Sequence, residues 1–462
     1  MSNRRNFIKQ LGGTAALLTA GSLKSLAAQE KEEQRILAWS KKYSANDKIR
    51  IGVIGMGIMG YNDLATAMKI PGVELVGCCD LYDGRLEHAK EIYGSNIVTT
   101  RHYEELLDRK DIDAVIVATS DNWHSRISIE AMKKGKAVYS EKPMVHQFGQ
   151  GWDVINAQKE TGKTMQVGSQ GISGIDYAKA KEMYQAGDIG VINSVEAVTN
   201  RQSALGAWQY TIPLDSSAQS VDWERYQMHQ KNKTSYDENK FFRWRNYRDF
   251  GTGVAGDLFV HLLTGLHYIT GSKGPSKIYS IGGLTYWKDG RDTPDVMTSI
   301  LEYPECKEHA AFQVALRVNF VSGEGDHSYT RITGSEGSLE MGWDGFTIKR
   351  NKMSKAPGIG GWDSFDTYPK AMQQRLMDAY NKRYSKADQE IPKLSDITYK
   401  TPDGYDSHAD HFANFFNGVR TGSPVIEPPV FAFRAAAPCL ACNESYFQNK
   451  VIGWDAENMK VL

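Results

Sequence analysis

Three glycines constrain this chain more than any other feature. The run Ile51-Gly52-Val53-Ile54-Gly55-Met56-Gly57-Ile58-Met59-Gly60 sets Gly55, Gly57 and Gly60 in a G-x-G-x-x-G pattern, after a β-branched strand and at the start of a helix. The glycines let the backbone approach a pyrophosphate, whose charge then sits at the helix N-terminus. Asp80 ends the next apolar run, 20 residues after Gly60, where a carboxylate meets a ribose. Glycines at this spacing arise by chance; the strand before them, the helix after them and Asp80 turn the pattern into a dinucleotide site. Met56, Ile58 and Met59 fall inside the loop and join the cofactor set. A carboxylate at Asp80 accepts both ribose hydroxyls and repels a 2′-phosphate, so NAD is expected over NADP.

Around this loop the pattern is regular. Short β-branched runs at 49–55, 73–80, 114–119, 137–140 and 164–168 alternate with amphipathic stretches. That alternation predicts a doubly wound parallel sheet with helices on both faces, a Rossmann domain over 48–168. Beyond Gly168 the alternation stops. Runs at 193–199, 277–285, 298–303, 311–320, 329–333 and 338–341 predict a mostly antiparallel sheet, and 408–420 and 431–449 predict helices. A second domain of α/β type, carrying the substrate site and self-association, is expected over 169–462. The stretch from Gly342 to Ser407 reads as an irregular surface excursion.

The N-terminus carries Arg4-Arg5-Asn6-Phe7-Ile8-Lys9, an uncharged stretch, and small residues at Ser25-Leu26-Ala27-Ala28. This spacing predicts a twin-arginine export signal over 1–28, followed by a charged extension over 29–47, and a periplasmic address. The apolar part is too short to span a bilayer, so no stable membrane anchor is expected. Lys+Arg and Asp+Glu balance at 55 each, which removes the electrostatic case for a nucleic-acid partner. The 10 Trp and 23 Tyr exceed the needs of an ordinary core, leaving some for a sugar platform. Cys439 and Cys442 have redox-pair or metal spacing but lie in an Ala-rich helical stretch with no second pair nearby; buried helical cysteines and no metal are expected.

Two further segments carry a family likeness: Glu141-Lys142-Pro143 at a strand end, with Asp121-Asn122-Trp123-His124 after the preceding strand, and Gly251-Thr252-Gly253-Val254-Ala255-Gly256-Asp257-Leu258-Phe259-Val260-His261. With the glycine loop they resemble the Gfo/Idh/MocA oxidoreductases from about Lys48 onward, closest to exported sugar-acting members. The resemblance implies Lys142, Asp257 and His261 as catalytic residues. It places Ser120, Trp123, His124, Glu141 and Lys142 beside the cofactor, and Gln170, Arg243, Arg245, Tyr247 and His261 beside the substrate, with Trp123 and His124 also bordering that pocket.

The chemistry agrees with the roles. Oxidising a secondary alcohol needs a base for the hydroxyl proton, and a histidine titrating near neutrality suits it. An ammonium at Lys142 stabilises the developing alkoxide. Asp257 and His261, four apart, share one helix face, where the carboxylate can orient the imidazole or hold a neighbouring hydroxyl. The alternatives are a strand-end lysine, a helix cap and a core histidine; His267 is assigned to packing. The expected function is NAD-dependent oxidation of a ring hydroxyl of a sugar or glycoside, plausibly at C3, with NAD held and recycled. The alternative is a redox-neutral NAD-dependent glycosidase, which needs one more base, with Tyr247 as the candidate. The resemblance places an Asn-like residue at position 257 in such hydrolases, and Asp257 departs from it.

Overall fold

The computed structural model describes residues 48–462. The expected signal peptide (1–28) and extension (29–47) lie outside the described residues. Six parallel strands, β1 (Ile49–Ile54), β2 (Val73–Cys79), β3 (Val98–Thr100), β4 (Ala114–Val117), β5 (Ala137–Glu141) and β6 (Met165–Gly168), form the first sheet in the order β3-β2-β1-β4-β5-β6. Every residue of β4 and β5 is buried, as expected of strands covered on both faces. The strand order reverses between β1 and β4, which opens a crevice at their carboxyl ends. The glycine loop, Thr119–Ser120 and Glu141–Lys142 all border it.

The second sheet has ten strands: β7 (Ile192–Asn200), β8 (Lys277–Gly283), β9 (Val296–Tyr303), β10 (Phe312–Asn319), β11 (His327–Gly334), β12 (Gly337–Met341), β13 (Gly345–Arg350), β14 (Ile397–Lys400), β15 (Ile452–Asp455) and β16 (Lys460–Val461). They run in the order β14-β13-β12-β11-β7-β10-β9-β8-β15-β16, and only β7 and β10 pair in parallel. Burial alternates along β9 and β10, so one face is packed and the other open. The packed face meets the helices Val260–Thr270 and Pro429–Gln448. The segment just ahead of the first brings Asp257 against Lys142 and Arg245, which line the crevice. Cys439 and Cys442 are buried in the second, unpaired, as their Ala-rich surroundings predicted.

One expectation needs correction. The stretch 342–407 is not wholly irregular: it holds β13, the helix Lys370–Arg383 and β14. β13 is six residues long with only Gly345, Phe346 and Ile348 buried, and the helix buries only Gln373, so neither carries a readable apolar stripe. One helix of the C-terminal region reaches the first sheet. The helix Ser407–Thr421 packs on the first sheet through Phe412, Phe415 and Phe416, with Phe412 stacked on Tyr139 of β5 at 4.2 Å between ring centroids.

Candidate active site

The glycine loop fits a dinucleotide. Gly55 has φ +93°, and a Cβ there would lie 2.6 Å from the Ala118 backbone; one on Gly60 would lie 1.9 Å from the Gly55 carbonyl oxygen. Side chains at either position would separate the helix from the strand. At Gly57, by contrast, the space beside the loop is open, with Arg85 Cζ 4.0 Å from an ideal Cβ. Gly55, Gly57, Ile58 and Met59 line the crevice, whereas Met56 and Gly60 are buried behind it.

Asp80 does more than the sequence reading gave it. Its Oδ2 accepts from Met56 N (2.7 Å) and its Oδ1 from Tyr82 N (2.9 Å), so it also fixes the glycine loop. Arg85 faces it at 3.4 Å and lies over the Phe242 ring. Each carboxylate oxygen holds one backbone N–H at short range and Arg85 only at 3.4–3.5 Å, the contact a ribose hydroxyl would replace.

A segment of the second domain closes over this end of the crevice. Asp222 N donates to Leu81 O (2.8 Å), Asp83 N to Ser220 O (3.1 Å), and Arg225 pairs with Glu104 (3.1 Å). Trp223, Tyr226, Phe241, Phe242, Tyr247 and Phe250 pack together with Tyr82 as a separate apolar cluster. Several of the surplus aromatics therefore build a cap over the cofactor crevice. Trp123 donates from Nε1 to Tyr226 O (3.2 Å), tying the cap to the helix Asp121–Lys133. His124 lies between Thr119 O (3.1 Å) and Pro143 O (2.9 Å), and so holds the turn after Lys142. Ser120, Trp123, His124 and Glu141 all line the crevice with Lys142.

Lys142 is held at β5's end by one carboxylate. Its Nζ donates to Asp257 Oδ1 (2.9 Å) and to the Asp257 main-chain oxygen (3.0 Å), and Arg245 Nε reaches the same Oδ1 at 3.2 Å. Burial pushes the Asp257 carboxyl up, but the Lys142 and Arg245 charges overcome that and hold it well below the usual range. Asp257 sits in a π-helical turn, Ala255–Phe259, which runs into the helix Val260–Thr270. Such a turn re-aims side chains at functional sites. It explains a departure from the expected pairing: Asp257 grips Lys142 and Arg245, and no hydrogen bond to His261 is seen among the described residues.

His261 is exposed, one turn further along the helix. Surrounding protein, then the Lys142 charge, push its pKa well below the ordinary value, against a smaller upward pull from Asp257. The imidazole is therefore neutral throughout the neutral range rather than titrating near neutrality. Neutral is the form that accepts a proton, although the lowered pKa makes it a weaker base than a free imidazole.

The predicted substrate residues divide. Arg245 lines the crevice. Gln170 borders it indirectly, donating from Nε2 to Glu141 Oε1 (2.6 Å) and Tyr139 Oη (3.0 Å). Arg243 is turned away, its Nε on Tyr210 O (2.8 Å) and its Nη1 on Gln209 Oε1 (2.5 Å). Tyr247 is packed in the aromatic cap, and burial pushes its hydroxyl up to about 12, the wrong direction for a base. His267 is buried with Nε2 2.9 Å from Tyr303 Oη, a packing role as expected. Tyr210 and Arg85 line the crevice and were not foreseen, since nothing in their local sequence marks them.

A reversed-order parallel sheet, a glycine loop closed on it and a strand-end lysine facing a second domain define a two-domain, dinucleotide-dependent oxidoreductase. Residues 49–169 match the family profile described as "Oxidoreductase family, NAD-binding Rossmann fold", and 181–453 match that family's C-terminal alpha/beta domain. The chain belongs to the Gfo/Idh/MocA oxidoreductase family.

Among curated proteins it is 28% identical over 282 residues to a "Glycosyl hydrolase family 109 protein" of Shewanella baltica, covering 56% of this chain and 58% of that one. It is 30% identical over 144 residues to an inositol 2-dehydrogenase of Salmonella typhimurium, covering 31% and 43%. The chain thus spans little more than half the length of these relatives at most. Among solved structures, the WlbA dehydrogenase from Bordetella pertussis, in complex with NADH and UDP-GlcNAcA, shares the fold at a TM-score of 0.62 and 17% identity, over 88% of this chain and 99% of that one.

Proposed function

We propose that this protein is a periplasmic NAD-dependent oxidoreductase that oxidises a ring hydroxyl of a sugar or glycoside, at C3, with NAD retained through the cycle. The observation that carries the reading is the Lys142–Asp257–Arg245 cluster, set in the dinucleotide crevice one helical turn from a neutral His261. NAD, when bound, supplies the hydride acceptor. The chain's own residues handle the proton and the charge. His261 takes the proton of the reacting hydroxyl, and the Lys142 ammonium faces the oxygen as it becomes anionic. Asp257, itself anchored by Arg245, fixes Lys142 in place. The aromatic cap supports retention of the cofactor, because release requires the 220–226 segment to part from Leu81, Asp83 and Glu104.

The second reading is a redox-neutral glycosidase, favoured by the similarity to the glycosyl hydrolase family 109 protein. It needs an additional base; Tyr210 lines the crevice, but burial raises its hydroxyl as it does that of Tyr247, with the Arg245 charge opposing only in part. Product analysis on a glycoside panel separates the readings: a ketosugar retaining its aglycone supports the dehydrogenase, and free aglycone with an unoxidised sugar supports the hydrolase. Denaturing the purified protein is expected to release NAD in near-stoichiometric amount. A protein that releases none and binds none when it is added would overturn both.

A further inference from the structure

The floor of the crevice contains buried acids that the chemistry above does not use. Glu141, next to Lys142, is buried, and so is Asp63 on the helix Ile58–Ala67. The two carboxyls interact, and Asp63 Oδ2 is buried with no donor to meet among the described residues. A proton shared between the two acids would satisfy that oxygen. Asp63 Oδ1 in turn lies 2.9 Å from Nε2 of His408, whose side chain is 21% exposed at the protein surface. The sequence is continuous: crevice, Glu141, Asp63, His408, solvent.

We propose that Glu141, Asp63 and His408 form a proton path between the cofactor crevice and the surface beside the helix Ser407–Thr421. The proposal rests on the oxidoreductase reading in one respect. Each alcohol oxidised to a ketone gives NAD a hydride, which carries both electrons, and releases one proton. A bound sugar and cofactor cover the crevice around Lys142 and Glu141, so a proton moving on that side has this internal route besides the exposed His261, in both directions of the cycle.

The surroundings suit a group that gains and loses a proton rather than a fixed ion. Burial, then Asp63, push Glu141 up to about 8, against the opposing charge of Lys142. Burial pushes Asp63 well above its ordinary range, and burial lowers His408 against the opposing pull of Glu141 and Asp406. The other groups facing the trio are the Tyr139 hydroxyl, Gln170 and Glu427 on the inner side, and Thr66, Lys69 and Asp406 at the surface. No arginine neutralises Asp63 or Glu141 among these partners. A Cβ on Gly168 would lie 2.5 Å from Glu141 Oε1, so the backbone there makes room for the carboxyl.

The test uses the full protein with NAD bound. His408→Ala is expected to slow turnover roughly tenfold at low buffer concentration, with NAD affinity unchanged and the rate restored by added imidazole. A purely structural histidine would show no such rescue, and its absence would overturn the path. A second readout needs no substrate. At neutral pH the infrared spectrum should contain a protonated-carboxyl band that shifts in D2O and is lost or displaced in Asp63→Asn. No such band in the wild-type protein would overturn the shared proton. Because the band does not depend on turnover, a protein that oxidised no sugar would refute the functional reading while leaving the path standing.

Discussion

Asp257 and Glu141 are both buried, and both lie beside Lys142, yet the fold gives them opposite charge states. Asp257 receives the lysine ammonium at 2.9 Å and the Arg245 guanidinium at 3.2 Å, and is held ionised. Glu141 receives an amide from Gln170 and a second carboxyl from Asp63, and is pushed up to about 8. The difference shows that burial alone does not set a carboxyl's role; the partner within about 3 Å decides it. In the proposed reaction, the ionised form would hold a cation where negative charge develops. On the floor, the near-neutral form leaves a proton available to move.

The largest effect should come from removing the cation between them. Lys142→Met is expected to lower kcat by about a thousandfold, because the ammonium facing the developing alkoxide is gone. It should also cost about 3 kcal/mol of stability, since Asp257 is left with Arg245 as its only ionic partner. Steady-state kinetics and thermal melts together check this. Equal loss of stability with unchanged kcat would reduce the cluster to a structural ion pair.

A smaller effect should appear in the pH dependence of stability without cofactor. Glu141 and Glu427 have folded values of about 8 against an ordinary 4.5. Their contribution is therefore complete below about 4.5 and is lost as pH rises through about 8. Asp257 has the opposite sign: its contribution is present above the ordinary 3.8 and lost as pH falls below that. Urea midpoints measured across pH should fall from mildly acidic to mildly alkaline conditions. Glu427→Gln should flatten that fall, and a slope of the opposite sign would contradict the assignment of neutral buried acids.

Much of the first domain was legible because its signals are local. Gly55, Gly60 and Asp80 lie within one strand–helix–strand unit, and β4 is a continuous apolar run that announces a strand covered on both faces. The lysine and the Asp257–His261 segment were legible through a family likeness, but their pairing was not. Spacing four apart suggested that Asp257 serves His261, whereas the π-helical turn sends it to Lys142, 115 residues away. Asp63 and His408 are 345 residues apart and meet only because the helix Ser407–Thr421 returns to the first sheet. No periodicity encodes a contact of that kind. Arg243 and Tyr247 misled for a simpler reason. Residue type suggested hydrogen bonding to sugar, while Arg243 satisfies main-chain and amide oxygens and Tyr247 packs among aromatics.

The central claim is that Lys142, Asp257 and His261 carry out alcohol oxidation on a cofactor that stays bound. Its most direct test is to add sugars and glycosides, without free NAD, to the protein as purified, and to record the near-ultraviolet absorbance of reduced nicotinamide in a single turnover. The account predicts that at least one substrate reduces the bound cofactor in the wild-type protein, that a ketone acceptor returns it, and that neither step occurs in Lys142→Met. Reduction that proceeds equally well in Lys142→Met would contradict it.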